Sequence, residues 1–378
     1  MSISVESWRG RIALMVAHCA GMVDLVALSM WVGTLITQYG FDAQQAGGLP
    51  TLFLLGVVFT SVALAPVIQR LPGRWVVSAG YLIAALGFWL AAGTTVYAEL
   101  ALLHALSGVG AGAALSVTHG RIARSANPHR LFAIVGMALG VFAVIFLGGT
   151  PQLIANLGGT ALFHTFAGVM VIGSAVALLM FPSTTSATPD VEVLRSKTGP
   201  MPAVIWFGIA GISSMTLIQA MIFSFLEGVG LQRGFGQQQI NGVLIALGMV
   251  NLLPAALAAL LQKRLAARKL LLAGPMLQVV LATTIMVSPL FGPYAFAGAV
   301  FAAVMVFTHT FAFGVLAHLD SSGRALAATP AMLMIGSAIG PFLGGTLVTL
   351  FGYESLALVA GCLGVVAVTC FSRLPATK

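Results

Sequence analysis

The sequence predicts an all-α membrane protein, with twelve transmembrane helices in two six-helix bundles related by a pseudo-two-fold axis along the membrane normal. Three observations carry this. The chain is 59% hydrophobic and only 7% charged, far below the roughly 25% charge of soluble domains, so no soluble surface can be assembled from it. Twelve apolar stretches reach the ~20 residues that a bilayer-spanning helix needs. The chain also repeats itself. Gly40/Gly234, Phe41/Phe235, Gln44/Gln238, Gln45/Gln239 and Gly48/Gly242 each stand 194 apart. Arg70-Leu71-x-x-Arg74 superposes on Arg264-Leu265-x-x-Arg268 at the same offset, and Arg130 on Arg324. One register kept at three places marks a duplicated unit. Six spans per half is an even number, so both halves keep the same orientation.

The spans fall near 12–36, 46–68, 75–96, 98–120, 131–155 and 160–181, then 202–226, 238–261, 269–289, 293–318, 325–350 and 354–372. The first is longer than a signal-peptide core, and no small-x-small cleavage pattern follows it, so it is expected to stay attached. It holds Asp24, the one acid in the middle of a span. An aspartate at a helix centre costs about 2.5–3.5 kcal/mol on insertion scales, so it should face the bundle rather than lipid. Its helical neighbours Ala17, Ala20, Gly21, Ala27 and Leu28 make a mostly small face. Asp24 reads either as a site that exchanges a proton or binds a cationic ligand, or as a buried structural aspartate.

In the fourth span His104 precedes Gly108, Gly110 and Gly112, and Gly136 and Gly140 form a GxxxG in the fifth. Such stripes let helix backbones approach closely where lipid supplies no hydrophobic drive. They serve as static packing or as smooth surfaces on which helices rock. Residues 182–200 are the longest polar stretch and read as a linker, which divides the chain into bundles 1–181 and 201–378. In the seventh span Ser213, Thr216 and Gln219 form a polar stripe that offers hydrogen bonds without charge, to a substrate or to a neighbouring helix. Asn251 and Gln278 are lone amides and read as interhelical glue. The tenth span carries Thr308-His309-Thr310, and His309 is read as either functional or structural. Gly336, Gly340 and Gly344 recur every fourth residue in the eleventh, where Pro341 removes a backbone donor and should kink the helix. Glu99, Glu227 and Glu354 lie at outer helix ends and are expected in solvent, as are His119, His129, His164 and His318.

The net charge of +8 is one-sided. With a cytoplasmic N-terminus, sixteen of the seventeen Lys and Arg residues fall on the inner face, Arg233 alone outside. That bias puts both termini in the cytoplasm. No basic run is interleaved with aromatics, so no nucleic-acid partner is expected. Cys19, Cys362 and Cys370 all lie in spans and read as small packing residues. No HExxH or thiol-rich motif implies a metal, no phosphate-binding Gly-x-x-x-x-Gly-Lys-Ser/Thr loop implies ATP, and no nucleophile stands beside a base. The sequence therefore predicts neither an enzyme nor a cofactor.

Twelve spans, the six-plus-six duplication and the basic loops after the second and eighth spans together resemble the major facilitator superfamily over nearly the whole chain. The family's loop after the second span usually reads Gly-x-Leu-Ala-Asp-Arg-x-Gly-Arg-Arg. Its counterpart here, Ala65-Pro66-Val67-Ile68-Gln69-Arg70-Leu71-Pro72-Gly73-Arg74, keeps the basic residues and a glycine but has Gln69 in place of the acid. His104 stands where many members carry arginine before the glycine ladder. The antiporter pattern Gly-Pro-x-x-Gly-Gly is reduced to Gly148-Gly149 in the fifth span, yet appears as Gly340-Pro341-Phe342-Leu343-Gly344-Gly345 in the eleventh.

The resemblance implies a secondary transporter that moves a small organic solute by alternating access. Proton-coupled efflux at a bacterial-type inner membrane is the first reading. Uptake symport is the alternative, and a sensor or scaffold that kept the fold is the rival from another class. Asp24, His104 and His309 are the candidate proton-coupling residues, and Asp24, Ser213, Thr216, Gln219, Thr308 and His309 the candidate substrate contacts. Arg70, Gly73, Arg74, Gly108, Gly112, Arg264, Arg268, Gly340, Pro341 and Gly344 are the candidate gating set. The expected partners are the solute, protons and lipid, and the expected state is a monomer.

Overall fold

The computed structural model describes residues 3–65, 67–68, 70–183, 202–261, 264–319 and 329–375. Arg324 and nearly all of the 182–200 linker lie outside them. Among the described residues there are fifteen helical segments and no strand. They are α1 (Trp8–Gly21), α2 (Val23–Thr37), α3 (Ala43–Leu64), α4 (Gly73–Ala91), α5 (Tyr97–Ala123), α6 (Pro128–Leu157), α7 (Thr160–Met180), α8 (Ala203–Ser224) and α9 (Leu226–Gln232). The remainder are α10 (Gln237–Val250), α11 (Pro254–Leu261), α12 (Ala267–Val287), α13 (Phe291–Leu319), α14 (Thr329–Phe351) and α15 (Glu354–Ser372).

Eleven helices are long and apolar enough to cross a membrane, counting α1–α2 and α8–α9 as one each. The remaining crossing, the eighth, was expected to be a single helix over 238–261. Instead it is interrupted at 251–253, and α11 begins on Pro254. Proline favours a helix start because its missing N–H needs no partner there. Trp8, Trp75, Trp89 and Trp206 are largely exposed near helix ends, while Trp31 is buried. Interfacial tryptophans of this kind flank a hydrocarbon layer.

The duplication is visible in the packing. In the first half α4 packs on α5 and α7, α3 on α5, and α1 on α6 and α7; in the second α12 packs on α13 and α15, α10 on α13, and α8 on α14 and α15. Each pair in one half has its mate in the other. The main contacts between halves, α3 with α14 and α6 with α10, exchange under the same two-fold, and the first and seventh crossings meet on its axis.

The repeated Gly-Phe-x-x-Gln-Gln motif is the turn that starts α3 and α10. Gly40 and Gly234 have φ of 70° and 78°, and each has open space where a Cβ would sit, so backbone conformation alone requires glycine. Gln45 and Gln239 reach back to the amides of Asp42 and Gly236 at 3.4 and 3.3 Å, capping the helix start. Phe41 packs on Tyr97 and Phe235 on Phe291, again at one offset. The other two positive-φ residues among the described ones, Gly158 and Gly352, are also 194 apart.

Candidate functional site

Loops after odd-numbered crossings gather at one end of the molecule, the distal end, where Gly159 packs on Gln38 and Tyr39. The chain's N-terminal segment lies at the opposite end, where Glu6 accepts from the Ala126 amide at 2.9 Å and from Arg11. Those two donors hold the Glu6 carboxyl below the usual carboxylate range.

Among the described residues four hydrogen bonds join the halves, and all lie in the distal part. Gln44 N donates to Thr349 Oγ1 at 3.3 Å and Gln44 Nε2 to Thr346 Oγ1 at 3.0 Å. Phe342 N donates to Thr51 Oγ1 at 3.1 Å, and Glu227 N to Ser29 Oγ at 3.1 Å. The glycines that permit this closeness are Gly47, whose Cβ would overlap the Pro341 carbonyl, and Gly345, whose Cβ would overlap the Ala43 backbone. The sequence marked Gly345 only as the end of the Gly-Pro-x-x-Gly-Gly pattern, and Gly47 not at all.

Gly108, Gly110, Gly112, Gly336, Gly340 and Gly344, which it did single out, pack inside their own halves. Gly108 and Gly112 lie on the Phe53 and Val57 backbone of α3, and Gly340 and Gly344 lie on α8 around Met221 and Phe225. In the fifth-span GxxxG only Gly140 meets a neighbour, Leu252, while Gly136 faces open space. The α14 helix runs through Pro341 to Phe351. Gly73 is buried against the Arg121 guanidinium and Phe181, whereas Arg70, Arg74, Arg264 and Arg268 are exposed, and Arg74 lies over the Trp75 ring.

The first and seventh crossings are each interrupted by one residue, Met22 (φ −112°, ψ 22°) and Phe225 (φ −109°, ψ 9°), and an acid stands in the first turn beyond each break. Breaking a helix frees amide groups that then need acceptors. Asp24, in the first turn after the break, stands beside two such amides, its own and that of Leu25. It stays partly accessible and makes no side-chain hydrogen bond among the described residues. Glu227 differs: expected in solvent, it is only 5% exposed, because α2 covers it. Its break lies nine residues further along than the first-half register predicts, so the 194 offset did not reveal it.

His104 is fully buried among Trp31, Phe88 and Phe163, with ring centroids 5.3–5.8 Å away. Its Nδ1 pairs with the Leu100 carbonyl at 2.6 Å, and its Nε2 has no partner. This is the geometry of a packed histidine. His309 lies 5.0 Å from Phe313, the two rings tilted, and its Nδ1 is unpartnered. Thr308 is buried, bonds its own helix at Val304 and packs on Gly274 of α12, while Thr310 is exposed. No hydrogen bond among the described residues joins Asp24, His104 and His309.

The seventh-span stripe is engaged inside its own bundle. Ser213 Oγ donates to the Met332 carbonyl of α14 at 3.1 Å, Thr216 lies against Gly336, and Gln219 Oε1 accepts from Gln278 Nε2 at 3.4 Å. Gln278 also donates to Met215 O at 3.0 Å, the interhelical role expected of it. His119, expected in solvent, instead pairs with His18 at 3.0 Å across α1 and α5.

A model of the Major Facilitator Superfamily matches residues 13–321. The chain belongs to the major facilitator superfamily. No individual curated protein matches it. Membership accounts for the two bundles and the axis between them, and makes the chain a multi-pass membrane protein of the secondary-transporter class. Members bind small-molecule substrates, and the family is generally non-enzymatic.

Proposed function

We propose that this facilitator moves a small organic solute by proton-coupled alternating access, outward across an inner membrane, with both termini in the cytoplasm. The observation that carries the reading is one-ended closure: every described hydrogen bond between the halves lies in the distal part. A pair of bundles hydrogen-bonded to each other only at one end can rock about that junction and admit a solute from the other. The positive-inside bias makes the distal end the outer one, so the form described corresponds to an inward-facing state.

Asp24 is the proposed proton carrier. It is the accessible acid at a helix break near the middle of the first crossing, which lines the axis. A carboxyl there can bind a proton or a solute cation in turn, and competition between the two is the simplest basis for exchange. With Ser213, Thr216 and Gln219 engaged in packing, solute contacts are assigned to the faces of the first and tenth crossings, around Asp24 and His309.

The test has two stages. A thermal-shift screen of purified protein against metabolites and drugs, at two pH values, identifies ligands, because a compound at a hundred times its Kd adds about 2.7 kcal/mol to folded-state stability. The ligand found is then followed into proteoliposomes under an imposed pH gradient. Asp24→Asn keeps the size and much of the hydrogen bonding but cannot exchange a proton, so it should insert normally and lose gradient-driven transport. Full gradient-driven transport by that variant would remove Asp24 as carrier.

A further inference from the structure

On a two-fold axis, equivalent residues of the two halves face one another. Gly33 and Glu227 are 194 apart and meet there: a Cβ on Gly33 would come within 2.7–3.0 Å of the Glu227 carboxylate atoms. The acid of one half fills the space left by the glycine of the other. We propose that Glu227 is a proton-operated latch on the distal seam, neutral while the halves are closed there and ionised once they part. The inference rests on the alternating-access reading and assigns it a second acid, separate from Asp24.

In the closed seam Glu227 Oε1 accepts from Gln237 Nε2 at 3.0 Å, and Oε2 is buried without a partner. The groups around it carry no compensating charge. From α2 come Ser29, which accepts from the Glu227 amide, and Gly33; from α10 come Gln237 and Asn241. Tyr294 of α13 gives its hydroxyl to Leu226 O at 2.8 Å. Arg233, six residues past Glu227, spends its guanidinium on the carbonyls of Ile285, Met286 and Ser288 at the end of α12, with Glu354 near it. The only ion pair among the described residues is Arg11–Glu6, at the far end.

A carboxylate held dry with one hydrogen bond and no cation is strongly disfavoured, and such groups take up a proton instead. Parting α2 from α8–α9 would restore water to both oxygens and release the proton to the distal side. The closed seam therefore holds one proton more than the open one. Its population must fall as pH rises, by up to tenfold in the closed-to-open ratio per pH unit for a single site.

The experiment uses the full chain in liposomes, with Cys19, Cys362 and Cys370 replaced and spin labels on Thr95→Cys and Gln238→Cys, which are exposed at the distal end of opposite halves. Dipolar distance distributions are recorded between pH 5 and 9 without solute or gradient. In the otherwise native chain the longer, open distance should grow with pH. Glu227→Gln, a fixed neutral mimic, should stay closed throughout. Gly33→Ala, which fills the carboxyl's seat, should be open even at low pH. A flat pH response of the otherwise native chain needs no variant to overturn the latch, and a Gln variant that tracks it would do the same. Because no transport is measured, an inactive protein with this response would refute the transport reading and leave the latch standing.

Discussion

Replacing Gly47 with alanine tests what holds the distal seam. The new Cβ would overlap the Pro341 carbonyl oxygen and lie 2.7 Å from its carbon. Both are backbone atoms, so no rotamer change relieves the contact. Restoring the ordinary 3.5–4.0 Å separation requires α3 and α14 to move apart by about 1 Å. The three hydrogen bonds between these helices, now 3.0–3.3 Å, would then pass beyond bonding range. At about 0.5–1.5 kcal/mol each, their loss removes roughly 2–4 kcal/mol from the closed form, a shift of about 30- to 700-fold. A cysteine at Thr51, buried in this seam and read in an otherwise cysteine-free background that lacks the Thr51 hydroxyl acceptor in every variant compared, reports the loss of the two Gln44 bonds through its labelling rate with a membrane-impermeant maleimide. Gly47→Ala should speed labelling at least tenfold, whereas Gly136→Ala, with no atom within 4 Å of its Cβ, should leave it unchanged. An unaltered rate in a well-folded Gly47→Ala protein would refute the claim that this contact closes the distal end.

The remaining predictions concern the acid and histidine sites and the topology. His104→Gln should leave the pH profile of transport unchanged, because the ring is packed in an aromatic box, while His104→Arg should abolish folded expression; a flattened profile in the Gln variant would return His104 to the coupling set. Cysteines at Ser186 and Ser372 should label only from the cytoplasm and one at Gln237 only from outside, and labelling of Ser186 and Gln237 from one side would sink the twelve-crossing topology. The Glu6 carboxyl is held below its usual range by the Ala126 amide and Arg11, so its tether between the N-terminus and the α5–α6 loop should be intact at neutral pH. It should weaken as pH falls through the carboxylate range, seen as faster amide exchange at Ala126; Glu6→Gln should show that faster exchange already at pH 7.

Much of the fold was legible because the bilayer limits the possibilities. Apolar length counts crossings, and a duplicated turn motif sets the register between halves. The 194 offset even extends to Gly158 and Gly352, where positive φ, not packing, requires glycine. The site was less legible because polarity inside a span does not say which neighbour it serves. Ser213, Thr216 and Gln219 look like a ligand-facing stripe, yet each bonds or abuts α14 or α12 in its own bundle. The glycine stripes behave alike: four-residue periodicity marks close helix contact but not whether the partner belongs to the same half. Gly345 meets the other bundle while its neighbour Gly344 meets its own.

Glu227 carries the lesson furthest. By position it is an acid near a helix end, where solvent is the ordinary expectation. Symmetry supplies the missing signal, because its equivalent is Gly33 and the crossings that hold them meet on the axis. Residues on such an axis face their own counterparts, so an acid paired with a glycine at the duplication offset points inward, not to water. Asp24 has Ile218 as its equivalent, and Ile218 is fully buried, so the same offset yields no facing acid for it. The two carboxyls are therefore not copies of one duplicated site. Each stands in one half only, at different depths along the axis. That asymmetry fits the two-state device proposed above: an accessible acid near the middle as the site of exchange, and a covered one as the group that responds to closure of the distal end.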